Sequence, residues 1–439
     1  MKHYRFFLLI FCLFTPKAFA QNQNIDAIID QNYSSLEQLY QQLHSNPELS
    51  YFEANTAKRI ADELRNAGFD VTENFGKYLD ASRKSYGLVG VLRNGKGPTV
   101  MFRTDLDGLP VEEKTGLPYA SKVKTKDDDG KEVPVMHACG HDMHMTVFTG
   151  VARALSAMKD QWSGTLILIG QPAEERAPGG ADAMLRAGLY EKFPKPDYCL
   201  AFHNDASLQS GKIGWVEEYA LANVDTIDIT VRGTGGHGAY PHTTKDPVVI
   251  ASELVLALQT IVSREVPPGQ FAVVTVGSIH SGTKHNIISD EAKLQLTVRS
   301  YKKEVRELLL SAIQRITKGI AKTAGAPEPA IDLHPDQFVP ATYNNPKLVQ
   351  KLLPVIRSAV GPEKLVQRAP VGGGEDFSRY SLDDLSVPCV LFWLGSVDPN
   401  KMTESLPSLH SPFFAPVPQS SIRTGVRSMT AILLDLLHR

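Results

Sequence analysis

Residues Thr165-Leu-Ile-Leu-Ile-Gly-Gln-Pro-Ala-Glu-Glu175 begin as an unbroken apolar run and end, past a Gly and a Pro, on two adjacent carboxylates. Such a run reads as a buried strand, and the loop at the C-terminal end of a buried strand is where open α/β sheets carry their sites. Adjacent side chains diverge, so one carboxylate can bind a metal while its neighbour holds a water for deprotonation. That division of labour is what metal-assisted hydrolysis needs. On an ordinary solvated helix a Glu-Glu pair would carry no such meaning; the strand before it gives it one.

Reading outward, amphipathic helical patterns cover Ile25 to Leu43 and Ala54 to Ala67, followed by short β-rich runs at Tyr86 to Val91 and Thr99 to Phe102. Helix at 146–158, strand at 165–169, helix at 181–187 and strand at 198–202 then alternate, and the pattern resumes near the C-terminus with strand 387–394 and helix 420–437. Alternation of this kind predicts an α/β layer fold with a mostly parallel central sheet. From about residue 219 the rhythm is different: strand, helix, strand, strand, helix and a short final strand at 330–333, the βαββαβ order of a ferredoxin-like unit. We therefore expect a catalytic domain in two parts, 21–218 and 329–439, interrupted by an inserted domain at 219–328.

At 439 residues the chain can bury a large core, and its net charge of −2 offers no basic field for nucleic acid or anionic lipid. Lys2, His3 and Arg5, the apolar run Phe6 to Phe14 and Ala18-Phe19-Ala20 predict a signal peptide over residues 1–20, hence export to the periplasm or beyond with no membrane anchor after cleavage. No later segment reads as apolar enough to span. Without Cys12, three cysteines are left, an odd number that argues against a disulfide framework; Cys199 and Cys389 sit in strand-like runs as small buried hydrophobes. The run Lys122 to Lys131 reads as a solvated loop.

Cys139 needs another explanation. His137-Ala-Cys-Gly-His-Asp-Met-His144 places one thiol and three imidazoles within eight residues, just before a helical run. A cap or a core histidine accounts for one or two of these, not for all; the segment reads as a metal site, with Cys139 and His141 able to face one point. His144 is better placed on the helix surface or behind the ligands. Asp197-Tyr-Cys-Leu-Ala-Phe-His203 is a second strand ending in a candidate ligand, and Arg103-Thr-Asp-Leu-Asp-Gly-Leu-Pro110 closes a third, with Asp105 either a turn residue or the hydrogen-bond partner of a ligand imidazole.

Together with Gln171-Pro-Ala-Glu-Glu175, Gly235-Gly-His-Gly-Ala-Tyr-Pro-His242, Gly282-Thr-Lys-His-Asn286, Gly374-Glu-Asp-Phe377 and Leu409-His-Ser-Pro412, these segments resemble the metal-dependent amidohydrolases of the aminoacylase and carboxypeptidase group, which includes hippurate hydrolases, auxin-conjugate hydrolases and N-acyl-amino-acid amidohydrolases. The resemblance implies two divalent ions per subunit, zinc or manganese with cobalt or nickel as alternatives. Cys139 would bridge them, with His141, Glu175, His203 and His410 completing the shells and Glu174 as general base. It also implies that the inserted domain is a lid through which two chains pair, and that His237 and Asn286 of that lid approach the substrate. The expected substrate is an N-acyl-amino acid, with a dipeptidase or carboxypeptidase on the same scaffold as the nearer rival and a non-catalytic binding protein as the farther one. Ser289, Asn204 after His203 and the long 122–131 segment depart from the family's pattern, on the substrate side or at the surface.

Overall fold

The computed structural model describes residues 16–403 and 405–438. The apolar run of the expected leader lies outside the described residues, and a helix, Pro16–Ser45, runs through Ala20. The central sheet has eight strands in the order Asp70–Thr72, Leu88–Asn94, Gly164–Gln171, Thr99–Asp105, Tyr198–Gln209, Cys389–Val397, Ile213–Trp215 and Leu365–Gln367. Neighbours within the quartet from Gly164–Gln171 to Cys389–Val397 are all parallel, and antiparallel pairings occur only outside it.

The quartet is apolar on both faces. Val100, Phe102, Leu166, Leu168, Leu200 and Phe202 face a layer of helices (Pro16–Ser45, His141–Ala157, Pro346–Val360 and Pro418–Leu436), while Met101, Ile167, Ile169, Cys199 and Ala201 face the opposite layer. Period-two alternation between two buried faces is what a covered parallel sheet requires. Cys199 and Cys389 are paired in register as buried free thiols. The surrounding helices begin and end on local chemistry: Asn345 accepts the N–H of Leu348 at 3.0 Å ahead of Pro346, and Gly361, with φ of 95°, follows the last turn.

Strands Ala272–Ser281, Glu291–Ser300, Asp225–Arg232 and Ala330–Asp332 form a separate antiparallel sheet in that order. Helices Pro247–Thr260 and Lys303–Thr323 pack on it around a core of its own that includes Ile227, Leu254, Leu258, Leu294 and Leu309. The order along the chain is the expected βαββαβ, with the last strand at Ala330–Asp332 where the residue pattern placed it. One expectation is corrected here: Pro247–Glu265, at 19 residues and a mean hydropathy of 1.4, is by length and composition apolar enough to cross a membrane. In the fold it buries Ile250, Ala251, Leu254, Leu258 and Ile261 against the small sheet and leaves Val248, Val249, Leu256 and Val262 exposed.

Residues 122–131 are also more than a loop. Lys124–Lys126 pairs antiparallel with Glu132–Pro134. Turn chemistry explains it, since Asp127 Oδ1 accepts the N–H groups of Asp129 at 3.0 Å and Lys131 at 2.9 Å, and Gly130 supplies a φ of 74°.

Candidate metal centre

The C-terminal ends of the parallel strands converge on one basin. Gln171 ends its strand beside Asp105, and the loop that follows is held from several sides: Ala173 N–H donates to Glu53 Oε1 at 2.7 Å and Glu175 N–H to Asp107 Oδ2 at 3.0 Å. Gly180 donates to the carbonyl of Ala173, and a Cβ there would lie 1.6 Å from the Pro172 carbonyl oxygen. Gly179-Gly180 thus lets the chain turn back tightly enough to fix the Glu174-Glu175 pair. On the facing loop, Gly140 has φ of 84°, and Asn204 Nδ2 donates to its carbonyl at 2.8 Å. The polar residue after His203 therefore holds the turn between Cys139 and His141.

Cys139, His141 and His203 bring their ligating atoms within 4.8 Å of one another, as do Cys139, Glu175 and His410, and as do His141, Glu174 and Glu175. Cys139 is common to the first two groups. His203 Nδ1 donates to the carbonyl of Asn204 at 2.9 Å, which leaves the Nε2 lone pair directed at Cys139 Sγ, 3.4 Å away. His410 has φ of 66°, donates its backbone N–H to the Ala138 carbonyl at 2.9 Å and sets Nε2 3.4 Å from Glu175 Oε1. All five expected ligands and Glu174 are thus gathered.

His144 is buried rather than on the helix surface. Its Nε2 accepts the N–H of Asn204 at 2.9 Å, so Nδ1 carries the proton and donates to Asp105 Oδ1 at 2.7 Å; neither nitrogen is free to ligate. Asp105, read as either a turn residue or the partner of a ligand imidazole, directs its hydrogen bonds to His144 and Arg103 and lies 3.6 Å from His141 Nε2. The carboxylate facing His141 Nδ1 is Asp107, at 3.3 Å, itself held by Ser50 Oγ at 2.6 Å. The two acids sit two apart, and only the tertiary packing distinguishes their partners.

Sequence reasoning also passed over the network behind Glu174. Buried Arg103 donates to Asp105 at 2.7 Å, to Glu375 at 2.8 Å, to Asp376 at 3.1 Å and to Gln171 at 3.0 Å. One guanidinium faces three carboxylates. Burial, together with Glu375, Glu175 and Asp376, holds the Glu174 carboxyl well above its usual range, with Arg103 acting the other way. Burial and the nearby carboxylates push the Cys139 thiol up as well. Burial lowers His141, but Asp105, Asp107 and Glu175 reverse this and raise it to about 10. Among the described residues the basin's carboxylates outnumber the one guanidinium that faces them, which leaves an excess of negative charge.

Both ring nitrogens of His141, Asp107 Oδ1 and Glu175 Oε1 are buried with no hydrogen-bond partner. Orphaned donors and acceptors of this kind are costly unless something else occupies them. Thiol, imidazole and carboxylate around one point form a donor set suited to divalent cations, which would also offset the excess charge.

The model of peptidase family M20/M25/M40 matches residues 101–435. The chain belongs to that family. Among curated relatives of this M20 enzyme, hippurate hydrolase of Campylobacter jejuni is 38% identical over 346 residues, covering 78% of this chain and 84% of the relative. Thermostable carboxypeptidase 1 of Saccharolobus solfataricus is 37% identical over 366 residues, covering 83% and 86%. A solved dinuclear metal-binding M20 peptidase from Bacillus subtilis (YXEP) superposes with a TM-score of 0.74 at 27% identity, covering 93% of this chain and 99% of that one. This M20 enzyme is a metal-dependent amide hydrolase.

The lid residues stand apart from the basin. His237 pairs with Ile287 in a two-residue ribbon, Asn286 accepts the N–H of Gly238 through its carbonyl at 2.9 Å, and both side chains are exposed. Among the described residues, no hydrogen bond or ion pair joins either to the metal-ligand cluster. The Arg103 network gives a stability prediction. Arg103→Met should lower unfolding free energy by roughly 3–5 kcal/mol, because it leaves buried carboxylates without their shared cation. Urea unfolding with a loss below about 1 kcal/mol, the scale of an exposed pair, would show that the network is not holding the strand ends together.

Proposed function

We propose that this M20 enzyme hydrolyses the amide bond of N-acyl-amino acids, with two divalent cations held by Cys139, His141, Glu175, His203 and His410 and with Glu174 as general base. The observation that carries the reading is that Cys139 joins the His141–His203 group to the Glu175–His410 group, while Glu174 meets the basin beside His141 and Glu175 from the side of Glu375 and Asp376. When bound, such cations supply the charge that polarises an amide carbonyl and acidifies water. Glu174, fixed beside them by the 172–180 turn, takes the proton from the attacking water and returns it to the leaving amine. Zinc or manganese suits the mixed donor set, and cobalt or nickel is compatible with it.

The lid is proposed to pair two chains. Its strand Ala272–Ser281 is a sheet edge, and the exposed Val248, Val249, Leu256 and Val262 give its first helix an uncovered apolar face. Export is proposed from the residue pattern of positions 1–20.

The test is amine release by metal-stripped enzyme resupplied with zinc, manganese or cobalt. N-acyl-amino acids should be cleaved with kcat/KM at least about tenfold above dipeptides bearing a free amine. The similarity to a carboxypeptidase, close in degree to that with hippurate hydrolase, supports a second reading, and turnover confined to dipeptides would establish it. No amide cleavage with any of the metals would remove both.

A further inference from the structure

A cavity of about 300 Å³ opens beside Glu175, lined by the apolar Leu49, Phe52, Leu109 and Pro110 and by the charged Asp127, Asp128 and Arg176. The polar wall comes from two places: Arg176 directly follows the carboxylate pair, and Asp127 and Asp128 lie at the tip of the 124–134 hairpin. The sequence marked that hairpin as an unusual length of chain without giving it a role.

The lining carries three carboxylates, Asp127, Asp128 and Glu175, and one guanidinium, Arg176, so what it can bind depends on which of these keep free hydrogen-bonding groups once Glu175 is committed to the candidate centre. Arg83 donates to Asp128 at 2.5 Å, and its guanidinium lies 4.6 Å from the centre of the Tyr51 ring, so Asp128 already has a close cation. Asp127 Oδ1 is occupied by the N–H groups of its own turn. Arg176 is different. Its only ion pair among the described residues is to Asp128 at 3.6 Å, too long for a hydrogen bond, and its side chain is 53% exposed. A guanidinium has five N–H donors in a planar fork that matches a carboxylate. Arg176 therefore lines a cavity next to the candidate centre with donors that Asp128, at 3.6 Å, does not saturate.

We propose that Arg176 is a specificity-determining residue that binds a second carboxylate on the substrate, one carried by the acyl chain or by the amino-acid side chain in addition to the α-carboxylate. The inference rests on the amide-hydrolase reading and names the substrate class within it: N-acyl-amino acids with an anionic tail. Asp128 competes weakly for the guanidinium until the substrate arrives.

The experiment uses isosteric or near-isosteric pairs, N-acetylglutamate against N-acetylglutamine and N-succinylalanine against N-butyrylalanine. In at least one pair the wild-type enzyme should favour the anionic member, and Arg176→Gln should lower the anionic-to-neutral ratio of kcat/KM by about tenfold or more, the scale of a charged hydrogen bond. The change should fall in KM. Arg176→Lys should recover part of the ratio, and Asp128→Asn should raise it by freeing the fork. Preference for the neutral member of both pairs, or an unchanged ratio in Arg176→Gln, would overturn the proposal. A second readout separates this from failure of the amide-hydrolase reading: calorimetric binding of the same compounds to Glu174→Gln protein. If no amide is cleaved, weaker binding of an anionic compound on adding Arg176→Gln still supports the proposal, and equal binding overturns it.

Discussion

Glu174→Gln is expected to lower kcat by roughly 10²–10⁴-fold, the range of a lost general base, while metal content stays near that of the wild type. Glu175→Gln is expected to do something different, lowering metal occupancy and activity together. The distinction comes from geometry. Glu175 Oε1 lies 3.4 Å from His410 Nε2 and shares a ligand group with Cys139, whereas Glu174 meets the basin from the side of Glu375 and Asp376. Glutamine keeps the shape of either side chain and removes its charge, so each variant isolates one role. Elemental analysis alongside steady-state kinetics decides between them. Full metal content in Glu175→Gln combined with depletion in Glu174→Gln would reverse the assignment.

The different legibility of these features in the sequence has a physical origin. The strand Gly164–Gln171 and its carboxylates were readable because a doubly buried strand must be continuously apolar, and that signal is local. The same holds for Tyr198–Gln209 up to His203; beyond it the strand continues through polar Asn204 and Asp205, and nothing in the residues announces the continuation. Pairing with Cys389–Val397 carries it on. The Asp105 and Asp107 roles were not readable for a related reason. Both acids leave the same strand end, and which imidazole each meets depends on the angle at which helix His141–Ala157 crosses the sheet. The Arg103 network joins residues 103, 171, 375 and 376, and no local pattern records contacts across such sequence separations. Likewise the 124–134 hairpin lacks apolar alternation, so its strands exist through the Asp127 turn and not through burial.

His237→Ala is expected to lower turnover by roughly a hundredfold or more with metals retained, as for removal of one donor to a developing oxyanion. The local geometry fits a donor: His237 Nδ1 accepts the N–H of Ala239 at 3.0 Å, so the neutral ring carries its proton on Nε2, and the side chain is exposed. That proton has no acceptor near the ligand cluster of its own chain among the described residues. The proposed resolution is that the lid of one chain serves the basin of the other, which makes the site incomplete without a second copy. Mixing His237→Ala with Glu174→Gln chains tests this directly, since the two defects fall on different chains. In a heterodimer acting across the interface, one basin keeps its own Glu174 and receives an intact His237 from the partner, while the other basin has lost both. Random exchange makes about half the dimers mixed, each with one working site of two, so activity should recover to about one quarter of wild type from two nearly inactive preparations. Action within one chain gives no recovery, because every basin then lacks one group or the other. Absence of recovery in dimers shown by native mass spectrometry to have exchanged would therefore sink action across the interface, and a fully active monomer would remove the pairing requirement as well.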